Sequence, residues 1–181
     1  QESKLAGADQ ELEDAGAGRV QRVIPYVEDR KNCLLFTPSP SLSASAMLSL
    51  AEALKQGIRQ SYQLEEMELA VETLPAGESP KVIFLHESAE GGAGVLRRLA
   101  DEADGLKRAA TRALELCHFD PETGEDRRKA PHAAEDCVAA CYDCLLNYSN
   151  QRIHERLDRH IIKDYLLALA SGSVAVSPVE E

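Results

Sequence analysis

Apolar residues recur along this chain with two periods. From Ala44 to Ile58 they fall at helical spacing, at Ala44, Met47, Leu48, Ala51, Leu54 and Ile58, which predicts a helix with one buried stripe. Ser43, just before it, offers a hydroxyl to the orphan N–H groups of the first turn. At Met67, Leu69, Val71 and Thr73 the period drops to two, alternating with Glu68, Ala70 and Glu72, as in a half-buried strand. Val82-Ile83-Phe84-Leu85 is continuously apolar and predicts a central strand covered on both faces. Val20–Val27 and Asn32–Thr37 read as two further strands, joined by Glu28-Asp29-Arg30-Lys31, with Cys33 as a core residue.

Gly91-Gly92-Ala93-Gly94 ends the apolar strand and opens a helical stretch from Val95 to Leu116 that Gly105 divides. His118–Asp136 is polar, carries Pro121, Gly124 and Pro131, and reads as a loop. From Asn150 a helix is predicted with Ile153, Leu157, Ile161, Tyr165, Leu166 and Leu169 on its apolar side and Gly172 as its stop. Residues 1–18 read as a flexible acidic lead-in, 19–170 as one domain, and 171–181 as a loose tail. The expected fold class is α/β (α+β): a mixed sheet of about four strands packed by helices, with a C-terminal four-Cys zinc module.

Charge narrows the function classes. The 181 residues carry a formal net charge of −11, and a field of that sign repels phosphates. Nucleic-acid contact therefore needs a local basic face or a partner domain. Five cysteines are too few and odd in number for a secreted disulfide scaffold. No signal peptide or membrane-spanning run is visible, so a reducing cytoplasm is the expected compartment. A chain beginning at Gln1 reads as a piece of a longer protein.

Three thiols lie within eight residues, at Cys137, Cys141 and Cys144, with Cys117 twenty residues upstream. Four sulfurs satisfy Zn²⁺ with no open position, so such a site folds the chain and does no chemistry. The expected ligands are Cys117, Cys137, Cys141 and Cys144, with His118 or His132 as an alternative to one thiol. Packing as buried free thiols is the competing reading.

Other motifs carry less. Backbone N–H groups of the Gly91–Gly94 turn can hold a phosphate, but Glu87 and Glu90 are close and no Walker Lys-Ser/Thr follows, so a tight turn is expected. Asp101-Glu102-Ala103-Asp104 spells a helicase tetrapeptide yet follows a helical pattern without a P-loop, and reads as a solvated helix face. Past the thiols, His154 and Asp158 are four apart, so they share a helix face, and a His-Asp pair can serve acid–base work. Arg152, Arg156, Arg159 and Lys163 form either a basic ridge toward phosphates or a solvated face with ion pairs.

Cys141-Tyr142-Asp143-Cys144-Leu145-Leu146-Asn147-Tyr148-Ser149-Asn150-Gln151, followed by His154 and Leu157-Asp158-Arg159, resembles the MZB zinc-binding domain at the C-terminal end of MrfA-type superfamily-two DNA helicases. The same domain occurs in DrmB-like anti-phage proteins. The resemblance is strong from about Val82 to Leu169. It implies one structural zinc on Cys117, Cys137, Cys141 and Cys144, and a non-catalytic accessory role in DNA repair or phage defence. It also implies a helicase motor domain, in the same or a partner chain, as neighbour. Two other functions compete: a protein-docking module without DNA contact, favoured by the acidic charge, and a small nuclease or hydrolase using His154.

Overall fold

The computed structural model describes residues 25–77, 79–88 and 92–175. Strand β1 is Cys33–Phe36, helix α1 Ala44–Tyr62, strand β2 Leu69–Leu74 and strand β3 Val82–Glu87. Helices α2 (Val95–Asp101) and α3 (Gly105–Leu116) follow. After a long loop come two 3₁₀ segments, Tyr148–Arg156 and His160–Ile162, and helix α4 (Lys163–Ser171).

The helical stripe behaves as its spacing requires. Ser43 caps α1 by accepting the Ala46 N–H at 3.2 Å, and Met47, Leu50, Ala51, Leu54 and Ile58 are buried. Helix α1 packs chiefly on α3, where Ala109, Ala110 and Ala113 are fully buried. Small residues let the two backbones approach: a Cβ on Gly57 would stand 2.2 Å from the Ala109 carbonyl oxygen. Helix α3 also packs on α4, and this three-helix layer holds the metal centre at its C-terminal end.

The sheet corrects the expected fold class. Its order is β1-β3-β2 and both pairings are antiparallel, so it is neither mixed nor four-stranded among the described residues. Of the expected strand Val20–Val27, residues 20–24 lie outside the described residues; Pro25, Tyr26 and Val27 are exposed and outside any strand. Strand β3 is central, as its apolar run predicts, but is covered on one face only. Ile83, Leu85 and Glu87 are buried, while Val82, Phe84 and His86 alternate with them and are partly exposed. Cys33 is likewise exposed, because β1 is an edge strand and its odd positions face outward.

Gly105 does divide the long helical stretch. The segment between α2 and α3 carries the helicase-like tetrapeptide as surface ion pairs: Arg97 with Asp101 at 3.6 Å, Arg98 with Glu102 at 3.1 Å and Arg108 with Asp104 at 2.6 Å. The glycine-rich turn is occupied from within. The Glu87 carboxylate accepts the N–H of Gly94 at 2.9 Å and of Leu96 at 2.8 Å, and the Asn32 amide at 3.2 Å. Burial by itself would raise the Glu87 pKa; these donors outweigh it and hold the group below the usual range. Gly92 sits at φ +57, and a Cβ there would meet Glu87 Oε2 at 1.8 Å. The reading as a tight turn therefore has a concrete cause. Glu90 and Gly91 lie outside the described residues.

The expected helix from Asn150 to Leu169 is broken. The first 3₁₀ segment ends at Leu157, which is extended (φ −90, ψ 126), and the chain restarts at His160. Helix α4 stops at Ser171 with Gly172 next, as expected. Residues 176–181 of the expected tail, and the lead-in 1–18, lie outside the described residues.

Candidate metal centre

Helix α3 ends in a tight C-terminal turn. His118 has φ +63, its N–H donates to Glu115 O at 3.0 Å, and the Phe119 N–H reaches back to Leu114 O at 2.9 Å. These two bonds make a Schellman motif, in which the left-handed position is usually glycine. A histidine there carries conformational strain of about 1 kcal/mol, a cost that persists only where other interactions fix it. The motif swings the chain so that His118 Nε2 comes 3.2 Å from Cys141 Sγ.

The other donors come from the far side of the loop. Cys137 is tied down by its N–H to Arg128 O at 2.7 Å. Cys141 and Cys144 flank a turn closed by the Cys144 N–H to Cys141 O at 3.1 Å and the Leu146 N–H to the same oxygen at 3.0 Å. The Cys141 N–H points at Cys144 Sγ at 3.0 Å, a donor placed to support a thiolate. Donor atoms of His118, Cys137, Cys141 and Cys144 all lie within 4.8 Å of one another. Zn–S bonds of about 2.3 Å imply tetrahedral S···S edges of roughly 3.8 Å. The observed Cys137–Cys144 and Cys141–Cys144 separations are 3.8 and 3.6 Å. Three thiols and one imidazole, mostly buried, thus fit a closed zinc site by donor type and by spacing.

The expected four-Cys module is corrected accordingly to one histidine and three cysteines. Cys117 is outside the converging set. It sits one residue before the left-handed turn, 1 % exposed within the apolar core, where burial pushes its thiol up to about 12. His132 is also outside; it is exposed and bonds Asp143 at 3.1 Å. Burial, followed by the nearby Arg159 charge, lowers the His118 pKa, which keeps its imidazole neutral as a ligand must be. Burial raises the Cys137 and Cys144 thiols; a divalent cation reverses that preference by stabilising the thiolates.

Arg159 is the residue whose role sequence reasoning missed. It was expected on a surface ridge, yet its side chain is 1 % exposed. It donates to Cys117 O at 3.1 Å, to Cys137 O at 3.0 Å, and to both Asp126 oxygens at 2.8 and 2.9 Å. The guanidinium also stacks over the Phe119 ring, 4.8 Å from its centroid. It therefore fixes the backbone on both sides of the metal ligands, and Asp126, paired with it, is held below the usual carboxylate range. Arg152 and Arg156 are exposed and Lys163 half-buried, but the break at Leu157 removes the common face that would make them a ridge.

The polar segment after the thiols docks the chain. Asn147 and Asn150 form a reciprocal capping box, with N–H to side-chain oxygen distances of 3.0 and 3.1 Å. The Asn147 amide reaches Glu52 on α1 at 3.1 Å, and the Asp158 N–H reaches Ser49 Oγ at 2.9 Å. His154 Nε2 lies 2.8 Å from Asn150 Oδ1 and 3.1 Å from Asn147 O, while Asp158 accepts the His160 N–H at 2.8 Å. The pair needed for acid–base work is not formed.

Comparison with known proteins agrees with this site. The family model of the MrfA Zn-binding domain (MZB) matches residues 50–145, more than half of the chain, and the match includes all four converging residues. The Druantia protein DruE of Escherichia coli (strain UMEA 4076-1) is 27% identical over 144 residues, which cover 76% of this chain and 7% of that protein. No solved structure matches. The family is a zinc-binding module, and the donor set fits that metal. The resemblance read from Cys141–Gln151, His154 and Leu157-Asp158-Arg159 named the family correctly, although the family match ends at residue 145, and the chain belongs to the MrfA Zn-binding domain family.

Proposed function

We propose that His118, Cys137, Cys141 and Cys144 hold one structural Zn²⁺, and that the domain, taken as 19–170, is an accessory of a DNA-acting, helicase-associated protein in repair or phage defence. The observation that carries this reading is the convergence of four donors within 4.8 Å at the end of α3. Zinc there links the α3 terminus to the Cys137–Cys144 turn, which lies outside any helix or strand. The fixed turn then presents its outer surface to DNA or to a motor domain. A cytoplasmic location fits reduced thiols, and no helix among the described residues is long and apolar enough to cross a membrane.

Chelation tests the structural role. Removing zinc with a strong chelator is expected to abolish or sharply lower the cooperative thermal transition, with recovery on adding zinc back. An unchanged transition in metal-free protein would refute it. A docking module without DNA contact is the second reading, supported by the net charge of −11.

A further inference from the structure

The outer face of the sheet lacks the polar residues that a face against water carries. Strand register sets its outward positions in three rows: Cys33, His86 and Ala70; Leu35, Phe84 and Glu72; Val82 and Leu74. Glu72 alone among them is permanently charged, and it has no hydrogen-bond or ion-pair partner among the described residues. Leu35 is 64% and Leu74 37% exposed. An antiparallel sheet with one wet face alternates apolar inside and polar outside; here both sets are mainly apolar. The face therefore suits an apolar cover that brings one cation to Glu72. A second copy of the chain does not meet that description. The face measures about 14 Å along the strands and roughly 10–15 Å across them, a small part of the ~800 Å² per partner that stable interfaces bury. Twofold pairing would also set Glu72 against its own mate or against Leu35, without a cation in either case.

The sequence just before β1 supplies both the apolar residues and the cation. In a chain of net charge −11, residues 15–27 contain no acid, and within them stands Val20-Gln21-Arg22-Val23-Ile24. Alternate residues of an extended segment share a side, so Val20, Arg22 and Ile24 make an apolar–cation–apolar set. That set complements Glu72 among Leu35, Phe84, Val82 and Leu74. Residues 20–24 lie outside the described residues; residues 25–32, which join them to β1, are exposed. Eight joining residues reach at most about 26 Å, enough to return along a face about 14 Å long. We propose that residues 20–24 pack across the outer face of the sheet, with Arg22 against Glu72. They act there as an internal docking segment and do not extend the sheet. The open face then has an occupant within the chain, and the folded unit starts near residue 19, well before β1.

Thermal unfolding and binding of the dye anilinonaphthalene sulfonate test this, on the zinc-loaded 181-residue chain and on one lacking residues 1–24. Removal is expected to lower the midpoint by at least about 4 °C, through loss of buried aliphatic side chains. It also raises dye fluorescence, with zinc content unchanged. In the full chain, Arg22→Glu and Glu72→Arg each lower the midpoint by roughly 2 °C, and the two together restore it. Should the shortened chain not fold, this charge swap decides. An unchanged midpoint with no added dye binding on removal would overturn the proposal. So would losses in the single variants that the swap does not repair. A dimer in sedimentation that Leu35→Glu dissociates would give the face to a second copy and overturn it as well. None of these changes touches a metal donor, so failure here leaves the zinc reading intact.

Discussion

Arg159 is cut off from water, and it joins two stretches of backbone that carry metal ligands. Replacing it by Ala leaves the Cys117 and Cys137 carbonyls without this donor and Asp126 with the Arg128 N–H in place of its guanidinium partner. The expected loss is about 3 kcal/mol, because unmaking a buried charged hydrogen bond costs more than the bond contributes net. Arg159→Lys is expected to rescue little, since an ammonium cannot reach Asp126 in two-point contact and two carbonyls together. Denaturant unfolding of both variants checks this; near-wild-type stability of Arg159→Ala would contradict it. Sequence alone could not separate this residue from Arg156, since both are arginines in one polar run. The same holds for Cys117 and His118: spacing cannot choose between adjacent residues, and the choice lies in a left-handed turn that no residue type announces here. The available signal was weak, a histidine where a glycine usually ends a helix.

At the scale of elements, patterns with many repeats were legible and short polar ones were not. The α1 stripe and the Gly105 division follow from local spacing, and Leu69, Val71 and Thr73 do fall in β2, whereas Met67, expected to share their buried face, is exposed before the strand begins. The Asn150–Leu169 helix failed because its polar residues bond locally and to α1, which competes with a regular helix. The β3 run misled about its second face because apolar content alone does not say what covers a strand. Two changes test how the elements are held. Gly57→Ala is expected to destabilise by about 1–3 kcal/mol through overpacking against Ala109, seen as a lower thermal midpoint; an unchanged or raised midpoint would show that the helices separate freely. Glu87→Gln removes a charged acceptor from the start of α2 and is expected to cost about 1–3 kcal/mol near neutral pH. The folded-state pKa of Glu87 is depressed, so its contribution is complete above the ordinary value of 4.5 and disappears as pH falls below it. The gap between wild type and Glu87→Gln should therefore close in acid. A gap that stays constant with pH would show that the carboxylate's charge is not what holds the turn.

For the whole molecule, composition and local field point the same way. A net charge of −11 argues against nucleic-acid contact, and the arginines along α3 and the following loop are paired with acids, Arg108 with Asp104 and Glu102, Arg112 with Glu115 and Arg127 with Asp120. That loop is tied to the end of α3 by the Arg127 N–H to His118 O at 2.8 Å and by Arg159 to Cys117 O at 3.1 Å. Three of the four converging donors stand in Cys137-x₃-Cys141-x₂-Cys144, which spacing alone picks out. The fourth is not picked out in this way, because it depends on how a helix ends.

Zinc content by mass spectrometry, measured on wild type, Cys117→Ala and His118→Ala purified without added metal, tests the central claim most directly. The account predicts one zinc per chain in wild type and in Cys117→Ala, and its loss in His118→Ala. Zinc retained by His118→Ala and lost from Cys117→Ala would contradict it and restore a four-cysteine site.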